Sequence, residues 1–178
     1  PIFESQIGNG LFPFASRDEL LDQMVSMRSK FTDYASYSKA KLTDLFSPVE
    51  LESAQKLEIK TLQSYYFENT GNGFKAHALP KEAQYFPIYS IHVTDLNQDG
   101  NQDLILGGNQ SQARIRIGKI DAGLGLVLLG QGDGEFRALS PEESGIALQK
   151  DIKSIVEIQS AGERLFIFGI NQHLPETY

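Results

Sequence analysis

The sequence feature that most constrains the fold of this chain is an internal repeat within residues 62–171. The first copy contains the segments FENTGNGF, LPKEA, YSIHV and DLILGGN, and the second contains, in the same order, LLGQGDGEF, LSPEE, KSIVE and RLFIFGIN. The copies are about 61–64 residues apart, and self-similarity at a fixed period is the signature of a repeat architecture. We therefore expect two structural units of similar design.

Each copy contains four stretches with the composition of β-strands. They are rich in aromatic and β-branched residues, and turns rich in glycine and asparagine separate them. We predict strands at about 62–68, 74–78, 88–94, 103–108, 125–129, 136–138, 152–158 and 164–170.

The first third of the chain has a helical pattern instead. Ser16 and Ser47 are each followed three residues later by a glutamate, Glu19 or Glu50, which is the capping-box signature of a helix start. Residues 1–15 are apolar and rich in turn-forming residues, which predicts an extended arm or a loop. The spacing of apolar residues predicts helices over about 17–31, 35–46 and 48–55.

The change from helical to strand character places a boundary near residue 56. We predict a mainly β fold with an N-terminal α-helical segment. An arm and helical segment would occupy residues 1–56, and two four-stranded β repeat units would follow within 57–178, at about 62–109 and 125–171.

The most specific motif of the chain is DLNQDGNQD, at residues 95–103. Side chains that carry oxygen occupy its positions 1, 3, 5 and 9, and Gly100 at position 6 suits a sharp turn. Calcium takes six to eight oxygen ligands at roughly 2.3–2.6 Å. The predicted ligands are the side chains of Asp95, Asn97, Asp99 and Asp103 and the backbone carbonyl of Asn101.

An EF-hand is the rival interpretation, but it requires a bidentate glutamate at position 12 and flanking helices. Leu106 occupies that position, and the flanking segments have strand character. Magnesium prefers fewer protein ligands in a stricter octahedron.

In the second repeat copy the corresponding segment is only QSAGE, at residues 159–163. We predict that this copy keeps the hairpin and lacks the ion.

The segment NTGNGF (69–74), followed by DLNQDGNQD and then LILGGN (104–109), resembles the FG-GAP/VCBS repeat. The chain is also similar to the VCBS-repeat and ASPIC/UnbV-like surface proteins of bacteria. The resemblance implies four-stranded β-propeller blades and a structural calcium ion between two strands of a blade. It further implies an exported parent protein, at the cell surface or in the periplasm. The implied ligands are Asp95, Asn97, Asp99, Asn101 and Asp103.

A propeller usually needs four to eight blades to close, and two are predicted here. The chain is then a fragment of a larger propeller, or its sheets pack with the helices into a partial, sandwich-like domain. A fragment would expose faces that neighbouring blades normally cover, which favours self-association. The chain begins at Pro1 without an initiator Met or a signal-like segment, so we expect a mature piece of a longer protein.

Composition excludes several functional classes. Cysteine is absent, which rules out disulfides, thiolate metal sites and cysteine nucleophiles. The net charge of −7 disfavours nucleic acid as a partner, because phosphate binding needs clustered Lys and Arg. No apolar run approaches the roughly 20 residues of a membrane-spanning helix.

No catalytic constellation is visible in the sequence, since its histidines are scattered and no Ser/His/Asp arrangement is present. The first hypothesis is a non-catalytic, calcium-stabilised binding or scaffold module whose protein or glycan ligand is unknown. The alternative is part of a carbohydrate-active enzyme resembling a polysaccharide lyase, or a glycan-binding protein. That alternative would require Tyr85, Tyr89, His92 and Arg114 to converge on one pocket.

Overall fold

A computed structural model describes residues 2–178 of the chain. The chain divides into two compact units, Pro1–Ile59 and Lys60–Tyr178. The division lies close to residue 56, where the sequence changes from helical to strand character.

The N-terminal unit begins with a β-hairpin where the sequence predicted an extended arm or a loop. Strands β1 (Glu4–Ile7) and β2 (Gly10–Pro13) pair antiparallel. Gly8 between them has φ 59°, a conformation that suits the tight turn of a hairpin.

Helices follow the hairpin, and they are shorter than predicted. They are α1 (Arg17–Gln23), α2 (Tyr34–Tyr37), α3 (Leu42–Leu45) and α4 (Pro48–Ser53), with a 3₁₀ helix at Val25–Ser29. Both predicted capping boxes are confirmed, because Ser16 and Ser47 accept hydrogen bonds from the backbone N–H groups of Glu19 and Glu50. Helix α1 ends at Gln23, because the next residue, Met24, has a φ of −125° and a ψ of 78°, which are not helical.

The apolar periodicity of this unit reflects burial more than helix length. Leu20, Phe31, Ala40 and Leu45 form its buried cluster, yet Phe31 and Ala40 lie outside the helices. Apolar residues of irregular segments that are buried in the same cluster can have the sequence spacing that is typical of a helix. The predicted continuous helices over 17–31 and 35–46 are therefore wrong in length.

The C-terminal unit contains the predicted strands, and each observed strand lies within a few residues of its predicted bounds. They are β3 (Tyr65–Asn69), β4 (Phe74–Ala78), β5 (Ile88–Thr94), β6 (Asp103–Gly108), β7 (Leu126–Gly130), β8 (Phe136–Ala138), β9 (Ile152–Ser160) and β10 (Glu163–Ile170). The mainly β character of the chain is thus confirmed. A 3₁₀ helix at Lys81–Gln84, helix α5 (Pro141–Ser144) and strand β11 (Glu176–Thr177) were not predicted.

The sheets of this unit cut across the internal repeat. One antiparallel sheet has four strands in the order β5-β6-β7-β8, another has the order β11-β10-β9, and β3 pairs with β4. The first repeat unit supplies β3 to β6 and the second supplies β7 to β10. The prediction of one four-stranded blade per repeat unit is not confirmed, because β6 pairs with β7 across the boundary between the units. Sequence similarity shows which hairpins recur, but it carries no information on which strand edges pair.

The four-stranded sheet packs on both of its faces. Successive residues of a strand point to opposite faces, so Ile105 and Val127 lie on one face and Leu106 and Leu126 on the other. The first face contacts the β9–β10 hairpin, and the second contacts the segment before β5. One buried cluster comprises Ile105, Val127, Ile146, Leu148, Ile152, Ile155, Phe168 and Ile170, and the other comprises Leu79, Ala83, Phe86, Leu106, Leu126 and Leu128.

Gly107 of β6 provides a test of this face-to-face packing. A Cβ atom at Gly107 would lie 2.4 Å from Cγ2 of Ile152 in β9, so one sheet would have to shift against the other. We expect Gly107→Ala to lower the free energy of unfolding by about 1–3 kcal/mol. As a control, Gly73→Ala adds a methyl group where no atom lies within 4 Å, and it should change that free energy by less than about 0.5 kcal/mol. Urea unfolding measures both, and equal stabilities would contradict the packing.

Candidate metal site

The acidic loop closes the hairpin of β5 and β6. Thr94 and Asp103 form the last residue pair of the two strands, and residues 95–102 connect them. Gln98 has φ 60° and Gly100 has φ 91°, which is left-handed backbone that glycine adopts without strain. The loop turns back sharply, and its oxygen-bearing side chains meet its own backbone amides.

These amides hold the side chains of the first half of the loop. Asp95 accepts hydrogen bonds from the backbone N–H groups of Asp99 at 3.2 Å and Gly100 at 2.9 Å. Asn97 Oδ1 accepts from the same Asp99 N–H at 3.0 Å, so oxygens of Asp95 and Asn97 converge. Asp99 accepts from the backbone N–H of Asn101 at 2.8 Å and from Asn97 Nδ2 at 2.9 Å. The Asn101 N–H, and secondly the Asn97 amide, hold the pKa of Asp99 below its ordinary value.

Asp103 has a different environment, because its side chain is fully buried. Its Oδ2 accepts from the backbone N–H of Leu96 at 2.8 Å, and its Oδ1 accepts from that of Gly130 in β7 at 2.8 Å. A Cβ atom at Gly130 would lie 2.3 Å from the carbonyl oxygen of Gln102, so glycine permits this close approach. Asp103 therefore ties the loop to β7. Sequence reasoning missed this role, since nothing local marks Gly130 as its partner.

Arg164 of β10 holds the start of the loop from the second repeat unit. Its Nη1 donates to the backbone carbonyl of Asp95 at 2.8 Å, and its Nε donates to Glu157 Oε1 at 2.8 Å. Glu157 Oε2 lies 3.1 Å from Nε2 of His92 and accepts from the hydroxyl of Thr94 at 3.2 Å. The Arg164 guanidinium, followed by His92, lowers the pKa of Glu157. This network links the two repeat units, and sequence reasoning did not single out Arg164 or Glu157.

The donor set of the loop suits a hard cation. Carboxylate and amide oxygens are the ligands that calcium takes, and an ionised carboxylate has acceptor positions beyond those used by one hydrogen bond per oxygen. Among the described residues, however, no three His, Cys, Asp or Glu side chains are gathered into a metal-binding group. The carboxylates of Asp95, Asp99 and Asp103 face backbone amides instead. Calcium binding by this loop stays a prediction.

The second repeat copy closes its hairpin with two residues. Ser160 and Glu163 are the last paired residues of β9 and β10, and Ala161 and Gly162 between them have φ 53° and 87°. Positive φ at both central residues is typical of a type I′ turn. The structure thus confirms that this copy keeps the hairpin and lacks the acidic loop.

Tyr89 and His92 of β5 both contact β9. Nζ of Lys153 lies 3.6 Å from the ring centroid of Tyr89, and His92 contacts Glu157. Both side chains therefore contribute to the contact between the β5–β6 and β9–β10 hairpins. Arg114 lies in the connection between β6 and β7.

A polar pocket of about 290 Å³ lies beyond the ends of β6 and β10. Asp151 in its wall accepts hydrogen bonds from the backbone N–H of Ser111 at 2.9 Å and from the Ser111 hydroxyl at 2.8 Å. The lining residues are Ser111, Gln112, Lys119, Asp121, Gln149, Lys150, Asp151, Asn171, Gln172 and His173. Tyr85, Tyr89, His92 and Arg114, which the enzyme alternative would bring together in one pocket, do not line this one.

Comparisons with protein-family models, with curated proteins and with solved structures found no significant match to this chain. The resemblance to FG-GAP/VCBS repeats and the exported location stay predictions. No helix in the described part of the chain is long and apolar enough to cross a membrane.

Asp103→Asn separates the structural role of this side chain from ion binding. The amide replaces one acceptor oxygen by a donor, so the N–H of Leu96 or of Gly130 loses its partner. A buried donor without an acceptor costs about 1–3 kcal/mol, and we expect a loss of that size in the free energy of unfolding in EDTA. Asp99→Asn, in the exposed part of the loop, is the matched control and should lose less than about 0.5 kcal/mol. Similar losses for both variants in urea unfolding would argue against the buried role.

Glu157 gives the fold a pH dependence with a defined sign. Because the folded state lowers the pKa of Glu157, its contribution to stability is present above the ordinary glutamate pKa and is lost as the pH falls through the folded value. We expect the melting temperature of Glu157→Gln to fall less than that of the wild type between about pH 6 and pH 3. Glu142→Gln, at an exposed position in α5, is the control. Parallel melting profiles for Glu157→Gln and the wild type would refute this contribution.

Proposed function

We propose that this chain is a non-catalytic, calcium-stabilised binding or scaffold module of an exported bacterial surface protein. The observation that carries the proposal is the loop of residues 95–103, which gathers oxygen donors at a hairpin tip and is anchored to β7 and β10. The second repeat copy closes the equivalent hairpin with two residues. The acidic loop is therefore an addition to this type of hairpin, and cation binding explains its composition.

Bound calcium would supply positive charge that offsets the repulsion among the carboxylates of the loop. Asp95, Asn97 and Asp99 offer side-chain oxygens, and Asn101 offers its backbone carbonyl. Asp103, the remaining predicted ligand, also holds the loop to β7 through the N–H of Gly130. An ion at this place would stabilise the turn between β5 and β6.

A scaffold role is supported by the partners of the ionisable side chains around the loop. Asp103 bonds to backbone amides, Arg164 bonds to the backbone carbonyl of Asp95, and Glu157 joins Arg164 to His92. Each of these contacts holds backbone or connects hairpins. The exported, surface-associated location is supported by the resemblance to FG-GAP/VCBS repeats.

A ligand that binds only the folded state stabilises it by RT ln(1 + [L]/Kd). We expect the melting temperature of calcium-stripped protein to rise in millimolar calcium and to return in EDTA, with a smaller rise in magnesium. Asp99→Ala should abolish the rise.

Ala161→Gly is the matched control for this experiment. It changes the turn of the second repeat copy, where φ 53° suits glycine, and it should leave the calcium response intact. Identical wild-type melting curves in calcium and in EDTA would rule out the proposed stabilisation.

A further inference from the structure

Two equivalent hairpins of the internal repeat stack on each other within the chain. The segment YSIHV of β5 corresponds to KSIVE of β9, and the β5–β6 and β9–β10 hairpins share one buried cluster. At this contact His92 and Thr94 of β5 both bond to Glu157 of β9. We call the side of a hairpin that carries His92 and Thr94 its trailing face, and the opposite side its leading face. The formed interface joins the trailing face of the first hairpin to the leading face of the second.

The trailing face of the β9–β10 hairpin is apolar and exposed. By the repeat, Val156 and Ile158 of β9 occupy the positions of His92 and Thr94 in β5. Their side chains are 51% and 38% exposed. Across the strands, Val156 is paired with Ile167 and Ile158 with Leu165, and directly paired residues share a face.

The leading face of the β5–β6 hairpin is also apolar and exposed along β5. Ile91 and Val93 are 57% and 54% exposed. They are paired with Leu106 and Leu104 of β6, which are buried and half-buried where the segment before β5 packs on this face. Val93 occupies the position that Glu157 has in the second hairpin.

At the positions where the interface within the chain is polar, both exposed faces carry apolar side chains. Within the chain, His92 and Thr94 meet Glu157, whereas the free faces carry Val156 and Ile158 on one side and Val93 on the other. A carboxylate opposite Val156 and Ile158 would be buried without a partner, which is costly, while valine in its place has no such cost. The free faces also carry no charge at these positions, although the chain has a net charge of −7.

We propose that the trailing face of the β9–β10 hairpin binds the leading face of the β5–β6 hairpin in a second copy of this chain. The contact resembles the hairpin stacking already present within one copy, and on the β5–β6 hairpin it uses the exposed part of the face, along β5. Because the two faces differ, the association is heterologous and joins copies head to tail, into a ring if the rotation closes and into a filament if it does not. It rests on the proposed scaffold role, to which it gives a partner, and it does not require calcium.

Sedimentation velocity of the full chain, in EDTA and in calcium, tests the proposal. We expect the wild type to show species above the 19.8 kDa monomer that increase with concentration across the micromolar range. Val156→Lys and Val93→Lys each place a charge on one face and should sediment as monomers. An equimolar mixture of the two variants should form a dimer and nothing larger, because each variant retains the face that the other lacks.

Three controls accompany this experiment. The double variant Val93→Lys/Val156→Lys should stay monomeric in every mixture. Leu174→Lys, at an apolar side chain that is 85% exposed outside both faces, should associate like the wild type. Melting curves check that each variant is folded, and the calcium response of monomeric Val156→Lys reports the proposed ion site separately.

A wild type that stays monomeric at all concentrations would overturn the proposal. So would a mixture of the two single variants that remains monomeric, or either variant associating as the wild type does. If Val156→Lys is monomeric and still melts higher in calcium, association and calcium binding are shown to be independent properties.

Discussion

The buried carboxylate of Asp103 is the interaction on which the arrangement around the acidic loop depends. Burying a charged group is costly unless it is hydrogen-bonded, and both oxygens of Asp103 accept from backbone N–H groups, one of the loop and one of β7. This requirement sets the separation of the loop and β7, and glycine at position 130 leaves room for it. The ends of β5, β6 and β7 are thereby tied at one point.

The offset between the repeat and the sheets explains how the two copies depend on each other. The second hairpin of the first copy and the first hairpin of the second copy form one sheet through the pairing of β6 with β7. A single repeat unit would therefore leave strand edges without partners, which are liable to pair with other chains. The hairpin, and not the four-stranded unit, is the element that the fold reuses. Because the hairpin is reused, equivalent hairpins stack on each other, and the outer side of each hairpin carries exposed apolar residues.

Strands and helix starts could be predicted because their signals are local. Alternating apolar residues between glycine- and asparagine-rich turns located β3 to β10, and Ser16 with Glu19 marked the start of α1. Helix lengths could not be predicted in the same way, since Phe31 and Ala40 are buried from irregular segments. The composition of the acidic loop was likewise evident in the sequence. The anchors of that loop were not, since Gly130 and Arg164 lie far along the chain from the residues they contact.

Residue order along the chain was sufficient for strands β3 to β10, for the turns of the β5–β6 and β9–β10 hairpins and for the oxygen-bearing side chains at residues 95–103. These properties depend on side-chain alternation and on backbone preferences within a few neighbouring residues. Which strands share a sheet, which faces are covered, and whether Asp103 points to solvent or to a buried amide all required the folded chain. They depend on contacts between segments distant in sequence, and such contacts leave no periodic pattern in the residues that make them.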